Sequence, residues 1–322
     1  MTDSIPVIDL GPMHDGSEAG LRKVAAEIGA ACRGVGFFYV SGHGIPLELM
    51  EEAFATSAKF FASPEGTKRS ALYSGASGNR GYIPMKGEAL DPSKPADLKE
   101  AFNIGLDLDD DDPEIRAGVK FRATNLWPHM PGFREMMLAY YDACLDLGQL
   151  LHRAFATDLG LAPDYFEQKL DRPMAILRLL HYPPAPKSIE AGQLGAGEHT
   201  DYGCVTLLAT DGVGGLEVRT RAGEWVKAPH VPGAFVCNIG DCMMRWTNDI
   251  YVSTPHRVVS PPGRERFSIA FFLDPNPDAM VECLPTCATP ERPARYAPIR
   301  GDDFLLGRLM PTYEKAGLAG KM

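Results

Sequence analysis

The sequence predicts a mixed α/β protein whose helices gather around a mainly β core. Three observations predict it. Apolar residues recur at three- and four-residue spacing through the first half, and from about residue 175 short β-type runs alternate with turn signals. The chain of 322 residues, 45% hydrophobic and 23% charged, also has the composition of an ordinary globular protein, which excludes disorder, collagen and coiled coil. That length, at the upper edge for one domain, fits a single compact unit over 1–322. A helix-rich region would occupy 1–170 and the β core 175–280.

The elements follow in order. Ile5-Pro-Val-Ile-Asp-Leu10 reads as a short strand, with Pro6 tolerated at its start. Leu21, Val24, Ala25 and Ile28 mark a helix that Gly34-Val-Gly36 ends. Phe37–Val40 is a strand closed by the turn Ser41-Gly-His-Gly44. Leu47, Met50, Phe54 and Phe61 mark a second helix, ending before Ser63-Pro64. The stretch from about 74 to 97 is rich in Gly, Pro and polar residues, a long loop of the kind that serves function. Phe133, Met137, Tyr140, Cys144, Leu147, Leu151 and Phe155 keep one continuous stripe, predicting the main helix packed on a sheet. Strands are then predicted at Ile176–Tyr182, Cys204–Ala209, Gly215–Arg219, Glu224–Ala228, Ala234–Ile239, Tyr251–Val258 and Arg266–Leu273, in the rhythm of a sandwich or barrel. Asp302–Lys315 reads as a final helix despite Pro311.

Charge and cysteine usage narrow the function classes. A net charge of -10 argues against nucleic acid or an anionic membrane surface as the main partner, without opposing a small anionic ligand in a local basic pocket. No apolar run approaches a membrane span, and the start Met1-Thr2-Asp3-Ser4 carries no secretory signal, so a cytoplasmic location is expected. The 7 cysteines (Cys32, Cys144, Cys204, Cys237, Cys242, Cys283 and Cys287) form no C-x-x-C pair and read as reduced, mostly core thiols.

The chemistry-bearing residues lie in the β half. His199 and Asp201, two apart on an extended segment, point the same way and can share a metal ion, although H-x-D alone is a weak signal among 8 histidines. His256 would complete a set of two imidazoles and one carboxylate, the facial triad of non-haem Fe(II) oxygenases, which leaves coordination positions for a bidentate co-substrate and O2. Zinc accepts the same set, so ligand type does not choose the metal. On the last long strand Arg266 and Ser268 share one face and Phe267 and Ile269 the other, so a guanidinium and a hydroxyl can meet a carboxylate. A surface arginine on an edge strand is the competing reading.

Together, His199-x-Asp201, His256 and Arg266-x-Ser268 resemble the isopenicillin N synthase-like group of Fe(II)/2-oxoglutarate-dependent dioxygenases. Further blocks carry the resemblance: Ile5–Leu10, Gly36–Pro46, Leu177-Arg-Leu-Leu-His-Tyr-Pro-Pro184, Gly214–Val218, Val236–Asp241 and Trp246–Tyr251 into His256-Arg-Val258. They run from residue 5 to about 275. The resemblance implies a distorted double-stranded β-helix, or jelly roll, flanked by helices. It implies Fe(II) on His199, Asp201 and His256. It implies 2-oxoglutarate held at its distal carboxylate by Arg266 and Ser268 with Tyr182, and O2 as the oxidant. The formal charges of Fe(II) and Arg266 would then cancel those of Asp201 and the co-substrate, as a buried site requires. Leu180 is a departure, because plant members usually carry Asn there.

The implied reaction couples decarboxylation of 2-oxoglutarate, giving succinate and CO2, to hydroxylation or desaturation of a small molecule. Alternatives inside the group are an ethylene- and succinate-forming enzyme and an oxidase that uses no 2-oxoglutarate. Outside it stand a catalytically silent jelly-roll binding protein and a zinc hydrolase, for which Glu198 would be the base. Asn79-Arg-Gly-Tyr82 falls in the loop that often covers substrate in the family, so Arg80, Tyr82 and Phe272 are the expected substrate contacts, with Lys86 as a further candidate. Solvated loop charges, and core packing for Phe102 and Phe272, compete with that. His43, His181 and His230 read as structural, turned away from the pocket and exposed, respectively.

Overall fold

The β-type runs of the second half pair into two sheets, and side chains from both line one cavity. The computed structural model describes residues 5–73, 78–91, 93–184, 192–260 and 262–315, with side chains described as far as residue 310.

The chain begins with β1 (Val7–Asp9), α1 (Gly11–His14), α2 (Glu18–Arg33), β2 (Phe37–Ser41), α3 (Leu47–Phe61) and α4 (Glu65–Arg69). There follow β3 (Gly81–Ile83), β4 (Glu100–Gly105), α5 (Pro113–Arg116) and α6 (Phe133–Asp158). The β half holds β5 (Ile176–Tyr182), β6 (Ala196–His199), β7 (Val205–Thr210), β8 (Leu216–Arg219), β9 (Trp225–Lys227) and β10 (Phe235–Ile239). Next come α7 (Asp241–Trp246), β11 (His256–Val258), β12 (Arg266–Leu273), β13 (Met280–Val281), β14 (Ile299–Arg300) and α8 (Gly301–Lys315).

The larger sheet runs β1-β2-β10-β7-β12-β5-β4-β3 and the smaller β6-β11-β8-β9; β13 and β14 form a separate pair. Only β1 and β2 pair in parallel in these sheets. This is the jelly-roll core with flanking helices that the sequence led us to expect, open rather than closed into a barrel among the described residues.

The helices cover the outer face of the large sheet. Ser17 caps α2 by accepting from the Gly20 N–H at 3.0 Å, and the helix buries Val24, Ala25, Ile28 and Cys32 against α6. The α6 stripe predicted from Phe133 to Phe155 is buried along its whole length and packs on β7 and β12. Each fully buried Leu or Phe on such a face contributes roughly 1.5–3 kcal/mol. All seven cysteines are free thiols, and all but Cys283 are buried.

Three departures from the sequence reading have local causes. Glu100–Gly105 is a fully buried strand, hidden in the sequence by its Glu, Asn and Gly. The strand predicted from Tyr251 shrinks to His256–Val258, because Asn248 and Asp249 take positive φ (54° and 62°) and Pro255 has no N–H to pair. The 74–97 stretch contains β3, which pairs with β4; its residues 74–77 and 92 lie outside the described residues.

Candidate metal and co-substrate site

Strand register assembles the three ligand candidates. His256 opens β11 directly opposite His199, the last residue of β6, and Asp201 lies in the turn that leads to β7. Asp201 Oδ1 stands 3.7 Å from His199 Nε2 and 3.6 Å from His256 Nε2, and the three candidate ligand atoms all lie within 4.8 Å of one another.

Their surroundings fix which atoms face inward. The Nδ1–H of His199 donates to the Gly197 carbonyl at 2.8 Å and that of His256 to the Thr254 carbonyl at 3.2 Å, which turns both Nε2 lone pairs to the centre. Asp201 Oδ2 accepts from Thr206 Oγ1 at 2.6 Å and Asn238 Nδ2 at 2.7 Å, leaving Oδ1 to the histidines. Burial, then the neighbouring His256, pulls the His199 imidazolium down to about 3, so the ring is neutral. Burial alone would raise the Asp201 carboxyl, but the facing imidazoles and its two hydrogen bonds outweigh it, and the group stays ionised. Two imidazoles and one carboxylate, each braced on its far side, fit a divalent metal.

The second half of the site is on β12 and β5. Arg266, Ser268, Ala270 and Phe272 all face the cavity, as strand alternation requires, while Phe267 stacks on His181 outside it. Arg266 is 1% exposed; its Nε donates to the Gly214 carbonyl at 2.8 Å and its Nη1 to Ser268 Oγ at 3.1 Å. No carboxylate pairs with this guanidinium among the described residues, so a buried cation is left for an anionic ligand. Leu180, opposite Ser268, makes that part of the wall apolar.

Sequence reasoning missed a charged patch beside His199. Glu88, Lys99 and Arg178 line the cavity; Glu88 is hydrogen-bonded to Arg178, and Lys99 Nζ stands 2.5 Å from Asp97 and 3.8 Å from Glu88. It also missed Thr206 and Asn238, although both sit on strands it identified, on the face that alternation turns to the cavity.

Of the three expected substrate contacts, one stands on the cavity. Arg80 and Tyr82 do not line the cavity, whereas Phe272 does. The Arg80 guanidinium packs on Gly105, where a Cβ would come within 1.9 Å of Arg80 Cζ, and bonds the Gly78 and Phe121 carbonyls. Tyr82 turns into the core against Phe60 and donates to Glu100 at 2.5 Å, because β3 presents that side chain to the helices. Lys86 is exposed and Phe102 packs on Phe60 and Phe133. His43 is held in its turn by the Gly233 carbonyl, His181 bridges Glu100 and Glu265, and His230 is exposed. Glu198, the base a zinc hydrolase would need, points outward and pairs with Arg219 at 2.9 Å. No helix among the described residues is long and apolar enough to cross a membrane.

A jelly roll that brings two histidines and an aspartate into one cavity with a buried arginine, paired with no carboxylate among the described residues, fits a metal-dependent enzyme with an anionic ligand. The comparisons with known proteins name the family. The 2OG-Fe(II) oxygenase superfamily profile matches residues 173–275, and the profile for the N-terminal region of non-haem dioxygenases in morphine synthesis matches 5–130. The 2-oxoglutarate-Fe(II) type oxidoreductase hxnY of Emericella nidulans is 35% identical over 317 residues, 97% of this chain and 91% of that protein. A full-length Neurospora crassa protein, solved in complex with alpha-KG, superposes with a TM-score of 0.85 at 34% identity, over 96% of this chain and 97% of that one. A 2OG-Fe(II) oxygenase family protein from Caulobacter crescentus gives 0.83 at 35% identity, over 96% and 99%. The chain belongs to the 2-oxoglutarate- and Fe(II)-dependent oxygenase superfamily: it is an oxidoreductase that uses Fe(II), 2-oxoglutarate and O2.

Proposed function

We propose that His199, Asp201 and His256 hold the iron, and that Arg266 and Ser268, with Tyr182 beside them, take the distal carboxylate of 2-oxoglutarate. On this reading the chain hydroxylates or desaturates a small molecule bound in the same cavity. The observation that carries it is the presence in one cavity of Asp201 Oδ1, 3.6–3.7 Å from two Nε2 atoms, and of a buried Arg266 that no described carboxylate neutralises. Iron bound there with its keto acid and O2 supplies the oxidising power, with succinate and CO2 as co-products.

The protein's own residues do the rest. The Gly197 and Thr254 carbonyls orient the imidazoles, Thr206 and Asn238 hold the carboxylate, and Ser268 with the Gly214 carbonyl aims the guanidinium. Phe272, Ile176, Leu305 and Leu309 offer apolar contact to a substrate. The order of blocks also leads us to assign the chain to the isopenicillin N synthase-like group. The test is anaerobic titration of the Fe(II)-loaded protein with 2-oxoglutarate, following the visible metal-to-ligand charge-transfer band. A saturable band that His199→Ala abolishes is expected. A band that survives in that variant would overturn the ligand assignment.

A further inference from the structure

The charged side chains that line the cavity are accounted for, with one exception. Glu88, Lys99 and Arg178 pair with one another and with Asp97, Asp201 faces two imidazoles, and Arg266 awaits a carboxylate. Asp274 remains. We propose that Asp274 is a specificity-determining residue, and that it selects a substrate carrying a positively charged nitrogen on a compact apolar frame. This rests on the reading above, in which the metal and the co-substrate engage Asp201 and Arg266.

Its position supports the proposal. Asp274 follows β12 directly and continues the alternation of Arg266, Ser268, Ala270 and Phe272, so its carboxyl faces the cavity. The residue is 5% exposed, and no hydrogen bond or ion pair reaches its carboxylate among the described residues. An aspartate before Pro275 would ordinarily serve as a turn former, its side chain accepting from a backbone N–H two or three residues on. No such bond is made here. The glycine at 203 lets the loop after Asp201 close on it: a Cβ there would lie 2.8 Å from Asp274 Oδ1.

A buried carboxyl without a partner is costly unless a ligand satisfies it. An arriving cation would supply the partner that this carboxylate lacks among the described residues. The remaining wall decides the rest of the ligand. Ile176, Phe272, Leu305 and Leu309, which line the same cavity, match an apolar or aromatic body.

The probes are benzylammonium and its neutral analogue benzyl alcohol, titrated calorimetrically and without oxygen into protein loaded with Fe(II) and 2-oxoglutarate. Wild type should prefer the ammonium by about 10-fold or more. Asp274→Asn should lose that preference, keep its affinity for Fe(II) and 2-oxoglutarate, and melt at the same or a higher temperature, since a costly buried acid has gone. Equal affinity for the two probes in wild type, no binding of the amine, or an unchanged preference in the variant overturns the proposal. A lower melting temperature in the variant would make Asp274 a structural residue and also overturn it. Wild type that fails to take up Fe(II) and 2-oxoglutarate, seen before any amine is added, would sink the underlying assignment and the proposal with it.

Discussion

Arg266 lies opposite Tyr182 across the β5–β12 ladder, and its guanidinium carbon stands 4.6 Å from the centre of the phenol ring. The stack and the Gly214 carbonyl fix the plane of the fork before any ligand arrives. Arg266→Ala should therefore leave iron bound and weaken 2-oxoglutarate by about 2–5 kcal/mol, as when a buried charge pair loses one partner. Arg266→Lys keeps the charge but not the fork and should fall between. Anaerobic 2-oxoglutarate titration measures both, and wild-type affinity in the alanine variant would remove Arg266 from the co-substrate site.

The hydrogen bonds behind Asp201 should matter to the metal, since Thr206 and Asn238 hold the oxygen that does not face the histidines. Asn238→Ala is expected to weaken Fe(II) by about 10–100-fold, and Thr206→Val to act in the same direction. Asp201→Ala should abolish binding. Competition with a coloured chelator gives the affinities, and unaltered values in the first two variants would make that brace irrelevant.

What was legible in the sequence was periodicity and spacing. The α6 stripe, β5 and β12 each carry a pattern that survives folding, and within His199-x-Asp201 and Arg266-x-Ser268 the two-residue spacing keeps the pair together, whereas His256 meets His199 only through the pairing of β11 with β6. What was hidden depends on long-range pairing. Glu88, Lys99 and Asn238 meet the site from loops and strands distant in sequence, and nothing local marks Glu100–Gly105 as a buried strand. Arg80 and Tyr82 lie off the cavity for the same reason: the loop was recognisable, but the register of β3 on β4 decides which side chains turn to the core.

The Asp97–Lys99 pair should be structural as well as electrostatic. Asp97 Oδ1 accepts from the Gly197 N–H at 2.9 Å and Oδ2 from Leu90 at 3.1 Å and Lys99 Nζ at 2.5 Å, so it ties β6 to the wall that holds Lys99. Asp97→Ala leaves a buried ammonium and a buried N–H short of partners and should cost about 3–5 kcal/mol. Adding Lys99→Met should recover part of that loss. Denaturant midpoints for the single and double variants decide it, and additive losses would disprove the coupling.

Acid sensitivity should reside partly in His152. The ring is 2% exposed on α6, packs against Phe155 and Phe166, donates from Nδ1 to the Gly148 carbonyl at 2.7 Å, and leaves Nε2 without a partner among the described residues. Burial pulls its pKa down to about 4, against 6.5 for an exposed histidine. Between those values the unfolded chain binds a proton that the folded chain excludes, so stability is full above about pH 6.5 and falls as the pH drops towards 4. The loss should reach about 3 kcal/mol near pH 4. His152→Met replaces the ring with an apolar side chain that cannot titrate, and should flatten this limb without altering the neutral-pH fold. Urea midpoints between pH 4 and pH 7 test it. An unchanged acid slope in the variant would mean that other groups govern the transition.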